Sequence, residues 1–166
     1  MTREGELPDA LHASPFFETA VRDEVCRLRR PDTRWLSTGY DGGESQADAA
    51  YLLSVPEGWD DVDVSDYVRR RRRRAGFEEP GPALLTGVSM RHAHRARLGP
   101  VEAVVTAGVN NPAALPMSDG AEFGGGSKRG DGSRGDERRH TGTVNVVVGT
   151  TRALEPGALA NLVAVA

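Results

Sequence analysis

The sequence predicts a single mixed domain of the α+β or α/β class, with one central β-sheet of five or six strands and a few packed helices. Three observations lead there. The chain has 166 residues, one domain's worth. Short apolar runs bounded by Gly, Pro and Asp recur along it, and Thr141–Val148 is the most strand-like of them. Two longer segments, one over 65–76 and one after Pro156, carry helix start signals.

Residues 1–18 are polar, hold no sustained period, and read as a leader; the domain proper is expected over 19–166. Thr19–Leu28 suits either a strand or a helix, since Val21, Val25 and Leu28 fit a helical face while other features alternate. Pro31-Asp32 punctuates it. Trp35–Thr38 is a short strand running into Gly39-Tyr40-Asp41-Gly42-Gly43, and Ala49–Val55 a second strand ending at Pro56. Asp63 or Ser65 caps a helix that carries Tyr67, Val68 and the six arginines Arg69 to Arg74, closing near Gly76. Ala83–Val88 reads as a buried strand, Met90–Arg97 as an exposed hairpin arm, and Val101–Val109 as the return strand after the turn Leu98-Gly99-Pro100. Residues 118–140 hold seven glycines, five acidic and five basic side chains, and almost no core formers, so they are expected to be a flexible insertion. The last helix starts at Glu155-Pro156-Gly157 and runs to Ala166 without a cap, as though the chain ended inside an element.

Composition excludes several classes. An apolar fraction of 38% together with 20 glycines is that of an ordinary globular domain and not of a disordered chain. No apolar run approaches the length of a membrane span, and the N-terminus is not a signal peptide, so a soluble, cytoplasmic protein is expected. A single cysteine, Cys26, can form neither an internal disulfide nor a thiolate metal cluster. Twenty-one basic residues against 24 acidic give a net charge of −3, without the basic excess of a nucleic-acid-binding domain. The arginine run does not change that. At 100° per residue six consecutive charges wrap the helix, and Asp60, Asp61, Asp63, Asp66, Glu78 and Glu79 flank them. A solvated helix face is the reading this favours.

His92 and His94 form an H-x-H pair, which on a strand puts both imidazoles on one face, with His140 as a third candidate ligand beyond the insertion. Arginines on both sides oppose a cation there, so no metal is expected. The turns Ser37–Gly43 and Thr106–Pro112 each follow a strand, where backbone N–H groups and the amides of Asn110 and Asn111 can meet a ligand, or satisfy the turn itself. Asn145 interrupts an apolar strand and must find a hydrogen-bond partner, in the protein or in a substrate. There is no G-x-S-x-G, and no His stands at motif spacing from Cys26.

Four blocks occur in a recognisable order: Ser37-Thr38-Gly39-Tyr40-Asp41-Gly42-Gly43, Leu84-Leu85-Thr86-Gly87-Val88, Val101-Glu102-Ala103-Val104-Val105-Thr106-Ala107-Gly108-Val109-Asn110-Asn111, and Gly142-Thr143-Val144-Asn145-Val146-Val147-Val148. In these the chain resembles the adenosylcobinamide amidohydrolases (the CbiZ-type family), over about residues 19–166. It departs from that family in the insertion at 118–140 and in ending before an acidic, lysine-bearing helix that members carry near the C-terminus.

The resemblance implies a corrinoid-salvage hydrolase, of archaeal type, that cleaves the amide between aminopropanol and the corrin ring of adenosylcobinamide and releases adenosylcobyric acid. It implies catalytic roles for Thr106, Asn110 and Asn145. Ser37, Thr38, Gly42, Gly43, Thr86, Gly108 and Thr143 are the expected substrate contacts. Glu102 is a candidate base, or else a solvent-facing strand residue. No cofactor is expected, because the corrinoid is the substrate. The implied partner is that small molecule, with neither nucleic acid nor membrane involved and a homo-oligomer left open. Two alternatives stand beside this reading: a corrinoid-binding protein without catalysis, and a metal-dependent amide hydrolase built on His92 and His94.

Overall fold

The computed structural model describes residues 16–40, 42–56, 59, 63–108 and 143–165. They form two sheets and a helical layer. Strands β1 (Glu18–Arg22), β2 (Val25–Ser37), β3 (Gly43–Ser54) and β4 (Ala83–Thr86) make a four-stranded sheet in that order. Strands β5 (His94–Leu98), β6 (Val101–Ala107) and β7 (Val144–Thr150) make a three-stranded antiparallel one. Helix α1 (Val64–Arg74) is the crossover between β3 and β4, which pair in parallel from Tyr51↔Ala83 to Ser54↔Thr86. Helix α2 (Pro156–Val165) follows β7, and Met90–His92 is a single 3-10 turn. The α+β class stands, with the strands divided between two sheets rather than gathered in one.

The division follows from where apolar side chains fall. Ala49-Ala50-Tyr51-Leu52-Leu53 on β3 is buried at every position, which an alternating strand can be only if both faces are covered. On one face Ala49, Tyr51 and Leu53 pack with Val25, Val68, Ala75 and Phe77 beneath α1. On the other, Cys26, Leu28, Trp35, Ala50 and Leu52 pack against Val104 and Val147 of the second sheet, with Met90 and Ala93. The layers are therefore α1, the four-stranded sheet, and the three-stranded sheet.

Thr19–Leu28 resolves as a strand pair: β1 and the start of β2 form a hairpin around Asp23-Glu24. Both turn residues have positive φ, 47° and 58°, a conformation that ordinarily selects Asn-Gly. Contacts compensate. The Glu24 carboxylate accepts from Met90 N (2.7 Å) and Ser89 Oγ (3.1 Å), its carbonyl accepts from Ser54 N (2.9 Å), and the Asp23 carbonyl accepts from Arg71 Nη2 (2.6 Å). Pro31-Asp32 does not end a strand. β2 runs through it as a bulge, where the register jumps between Arg29↔Ala49 and Thr33↔Ala47. Asp32, at φ 53°, is held by its own N–H on Asp48 Oδ1 (2.8 Å) and by Gln46 Nε2 on its carboxylate (2.7 Å).

The leader boundary at 18 needs moving. Phe16 and Phe17 are buried, Phe17 stacks on Trp35 at 5.9 Å between ring centroids, and Arg30 lies over the Phe16 ring. The insertion at 118–140 lies outside the described residues. In α1, Asp63 is the N-cap, accepting from Asp66 N at 2.8 Å, and Asp66 pairs with both Arg69 and Arg70. Arg71 and Arg72 are half-buried and lie against the Tyr67 and Tyr51 rings, while Arg69, Arg70, Arg73 and Arg74 form the exposed face.

Candidate functional site

Four stretches far apart in the chain meet around β4. Asn145, at the start of β7, donates through Nδ2 to the Leu85 carbonyl at 2.9 Å, so a side-chain amide closes the open edge of β4. Thr106, at the end of β6, is the direct cross-strand partner of Asn145. Gly108 N donates to the Thr143 carbonyl at 3.1 Å, and a Cβ on Gly108 would stand 2.7 Å from Val88 Cγ2. The turn after β2 meets β4 along the same open edge. Tyr40 bridges to Ala83, and a Cβ on Gly39 would meet the Ala83 carbonyl oxygen at 2.7 Å. Gly43, at φ +105°, then turns the chain into β3.

Three of the four buried polar side chains among the described residues lie here. Thr86, Thr106 and Asn145 are 1%, 0% and 7% exposed. Thr86 Oγ1 accepts from Val88 N at 3.1 Å, which shapes the loop leaving β4. Thr106 Oγ1 has no hydrogen-bond partner among the described residues. Asn145 is oriented by chemistry as well as geometry. A carbonyl cannot donate, so the atom facing Leu85 O must be the amide nitrogen, and Oδ1 is turned away from it.

Beside this cluster lies a groove of about 280 Å³. Leu84, Val146, Val148 and the α2 residues Leu159 and Leu162 supply aliphatic lining, and Trp35 and Tyr51 aromatic lining. Ser37, Thr38 and Arg34 stand at its polar end. The Arg34 guanidinium is matched there by Glu44 through bonds of 2.7 and 2.9 Å, and that pairing lowers the Glu44 carboxyl below its usual range.

Of the residues expected from sequence, Thr86, Thr106, Gly108, Thr143 and Asn145 come together, and Ser37 and Thr38 reach the groove beside them. Gly42 and Gly43 belong to the same turn but are exposed and do not line it. Asn110 lies outside the described residues. Glu102 is neither solvent-facing nor next to Thr106. It is 1% exposed, lies 3.3 Å from Arg95 Nε, and stands four residues along β6, about 13 Å from Thr106 at strand rise. Arg95 also donates to Thr19 Oγ1 at 2.5 Å, so the pair fastens the second sheet to β1. A proton relay from Glu102 to Thr106 in one step has no geometric basis.

The histidine pair does not share a strand face. His92 ends the 3-10 turn, where it accepts from Arg91 Nε at 2.9 Å, and His94 opens β5; both are exposed. The turn forms because the Glu24 carboxylate caps Met90 N, which curls the chain just where the H-x-H pattern calls for extension. Among the described residues no three His, Cys, Asp or Glu side chains are grouped to hold a metal ion, and His140 lies outside them. Cys26 is fully buried; burial pushes its thiol up to about 12, against the attraction of Arg95, so at neutral pH it is not a nucleophile. The groove leucines of α2 escaped sequence reasoning. Leu159 and Leu162 show the i, i+3 spacing of a helix face, but nothing in that spacing says what the face covers.

A family model described as adenosylcobinamide amidohydrolase matches residues 10–166. An adenosylcobinamide amidohydrolase of Halobacterium salinarum is 48% identical over 155 residues, covering 91% of this chain and 62% of that protein. Another, of Methanosarcina mazei, is 26% identical over 91 residues, or 55% of this chain and 45% of that one. The chain thus spans less than two thirds of the length of the curated relatives it matches. No solved structure matches it. No helix among the described residues is long and apolar enough to cross a membrane.

Proposed function

Because the chain belongs to the adenosylcobinamide amidohydrolase family, we propose that it hydrolyses the amide joining aminopropanol to the corrin ring of adenosylcobinamide, in corrinoid salvage in the cytoplasm. The observation that carries this reading is the meeting of the four motif blocks at β4, around a buried hydroxyl without a hydrogen-bond partner among the described residues.

In the reaction, water oxygen adds to the amide carbonyl carbon. The C–N bond breaks, a proton passes to the departing nitrogen, and aminopropanol leaves a corrinoid carboxylic acid, adenosylcobyric acid. The strained intermediate is an oxyanion, and hydrogen-bond donors aimed at it lower the barrier. Thr106 Oγ1 is one donor. The second Nδ2 hydrogen of Asn145 is another, its first being engaged with Leu85. Gly108, Thr143 and the Thr86 loop stand beside these donors, with Asn110 following Gly108 by two residues. Ser37 and Thr38 contact the corrin, and Gly42 and Gly43 shape the turn that carries them. The corrinoid is the substrate, and the reaction as written calls on no further cofactor.

The test is incubation of the purified chain with adenosylcobinamide, with products followed by chromatography and mass. Appearance of adenosylcobyric acid together with free aminopropanol is the expected result. Saturable corrinoid binding without product would make the chain a binding module, and neither binding nor product would overturn the reading.

A further inference from the structure

Resting on that hydrolase reading, we propose that the groove between β7 and α2 is a subsite for the neutral, methyl- and amide-bearing rim of the corrin, with Leu159 and Leu162 as its specificity-determining wall. The groove adjoins the polar cluster. Val144 and Val146, which line it, flank Asn145, and Leu84, also in its lining, precedes the Leu85 carbonyl that Asn145 holds. A ligand seated there lies against both edges that the Asn145 bond joins.

The lining states the ligand's chemistry. Its apolar part is branched aliphatic carbon together with Trp35 and Tyr51, suited to methyl groups and ring edges. Ser37 and Thr38 place hydroxyls at one end, suited to carboxamide groups. Arg34 would make the site cationic were its charge not matched by the bidentate contact of Glu44, so the groove carries no net charge for an anion. At about 280 Å³ it takes one edge of a macrocycle and not the whole, which leaves the remainder in solvent. Leu159 and Leu162 are only half-buried, so they are free to be wetted or covered as the ligand comes and goes.

Steady-state hydrolysis of adenosylcobinamide by the wild-type chain, Leu162→Trp, Leu159→Ala and the outlying control Leu98→Ser tests this, with thermal midpoints measured on each. Leu98 is 85% exposed at the end of β5, the edge strand of the second sheet away from β7, and does not line the groove. One methylene more or less in an apolar pocket changes discrimination about tenfold or more. Leu162→Trp is therefore expected to raise KM about tenfold, and Leu159→Ala several-fold, with kcat and the midpoint changing far less; Leu98→Ser matches wild type. Wild-type turnover with KM unmoved in both groove variants overturns the subsite and leaves the hydrolase reading intact. A loss that falls on kcat with KM unmoved also overturns it. A wild-type chain that neither binds nor cleaves adenosylcobinamide overturns both.

Discussion

Asn145 reaches from the first turn of β7 to the backbone oxygen of Leu85, 60 residues earlier in the chain, and so joins the two sheets by one side-chain amide. An Asn145→Ala variant leaves that carbonyl without its donor, at a cost of about 1–3 kcal/mol. Asn145→Asp is expected to be at least as damaging, because a carboxylate cannot donate and would face the carbonyl with like charge. Denaturant unfolding of the three proteins checks the order; an Asp variant as stable as wild type would remove the clasp from the account.

Thr106 separates stability from activity. Its hydroxyl has no hydrogen-bond partner among the described residues, so Thr106→Val, which keeps the shape, is expected to leave the unfolding midpoint unchanged or raised. Turnover is expected to fall about 10²–10³-fold, the loss typical of one oxyanion donor. Equal losses of stability and activity would mean the hydroxyl serves the fold.

The ion pair of Glu102 with Arg95 predicts non-additivity. Either Glu102→Gln or Arg95→Met alone leaves a buried charge and should cost about 3–5 kcal/mol, whereas the double variant should recover much of that loss. A double-mutant cycle by chemical denaturation reads this directly, and additive losses would contradict it.

Gly39→Ala should disturb the site from a distance. The added methyl meets the Ala83 carbonyl oxygen at 2.7 Å and Leu84 Cδ2 at 2.5 Å, so either the turn or β4 must shift. A destabilisation of about 1–3 kcal/mol is expected, as for overpacking, with a rise in KM for the corrinoid. Unchanged stability and unchanged kinetics would show that the turn can retreat freely.

Cys26 makes stability fall at high pH. Its folded thiol is pushed up to about 12, above the ordinary value of about 8.5, because burial favours the neutral form. The contribution is complete below the unfolded value and is lost as pH rises from there toward the folded one. Urea midpoints of wild type and Cys26→Ala between pH 7 and 10 should converge with increasing pH, and the native thiol should resist aromatic disulfide reagents at pH 8 until the chain unfolds.

Where local chemistry decided the structure, the sequence was legible. Asp63 caps α1 as its side chain allows, and Asn145, an amide in a valine strand, had to find a partner. The partner's identity was not legible, because Leu85 contributes only a carbonyl, which every residue has. Pro31-Asp32 looks the same as a strand end or as a bulge until Asp48 and Gln46 arrive from β3 to hold it. Phe16 and Phe17 sit in a polar stretch without period, and only Trp35, across the fold, makes them core. The motif blocks stand far apart in the sequence; their meeting at β4 is a tertiary fact that no spacing encodes.

β4 is four residues long, yet the turn after β2, the Asn145 amide and the parallel ladder with β3 all depend on it. Contacts between partners so distant along the chain form late, since long loops must close before they are rewarded. The hairpins β1–β2, β2–β3 and β5–β6 need only near neighbours and are expected to come first. A chain emerging from the ribosome would therefore own most of its hairpins before it owned a site. On warming, the same order runs backward: capacity for the corrinoid should fade while the β2–β3 ladder, read by amide hydrogen exchange, is still intact.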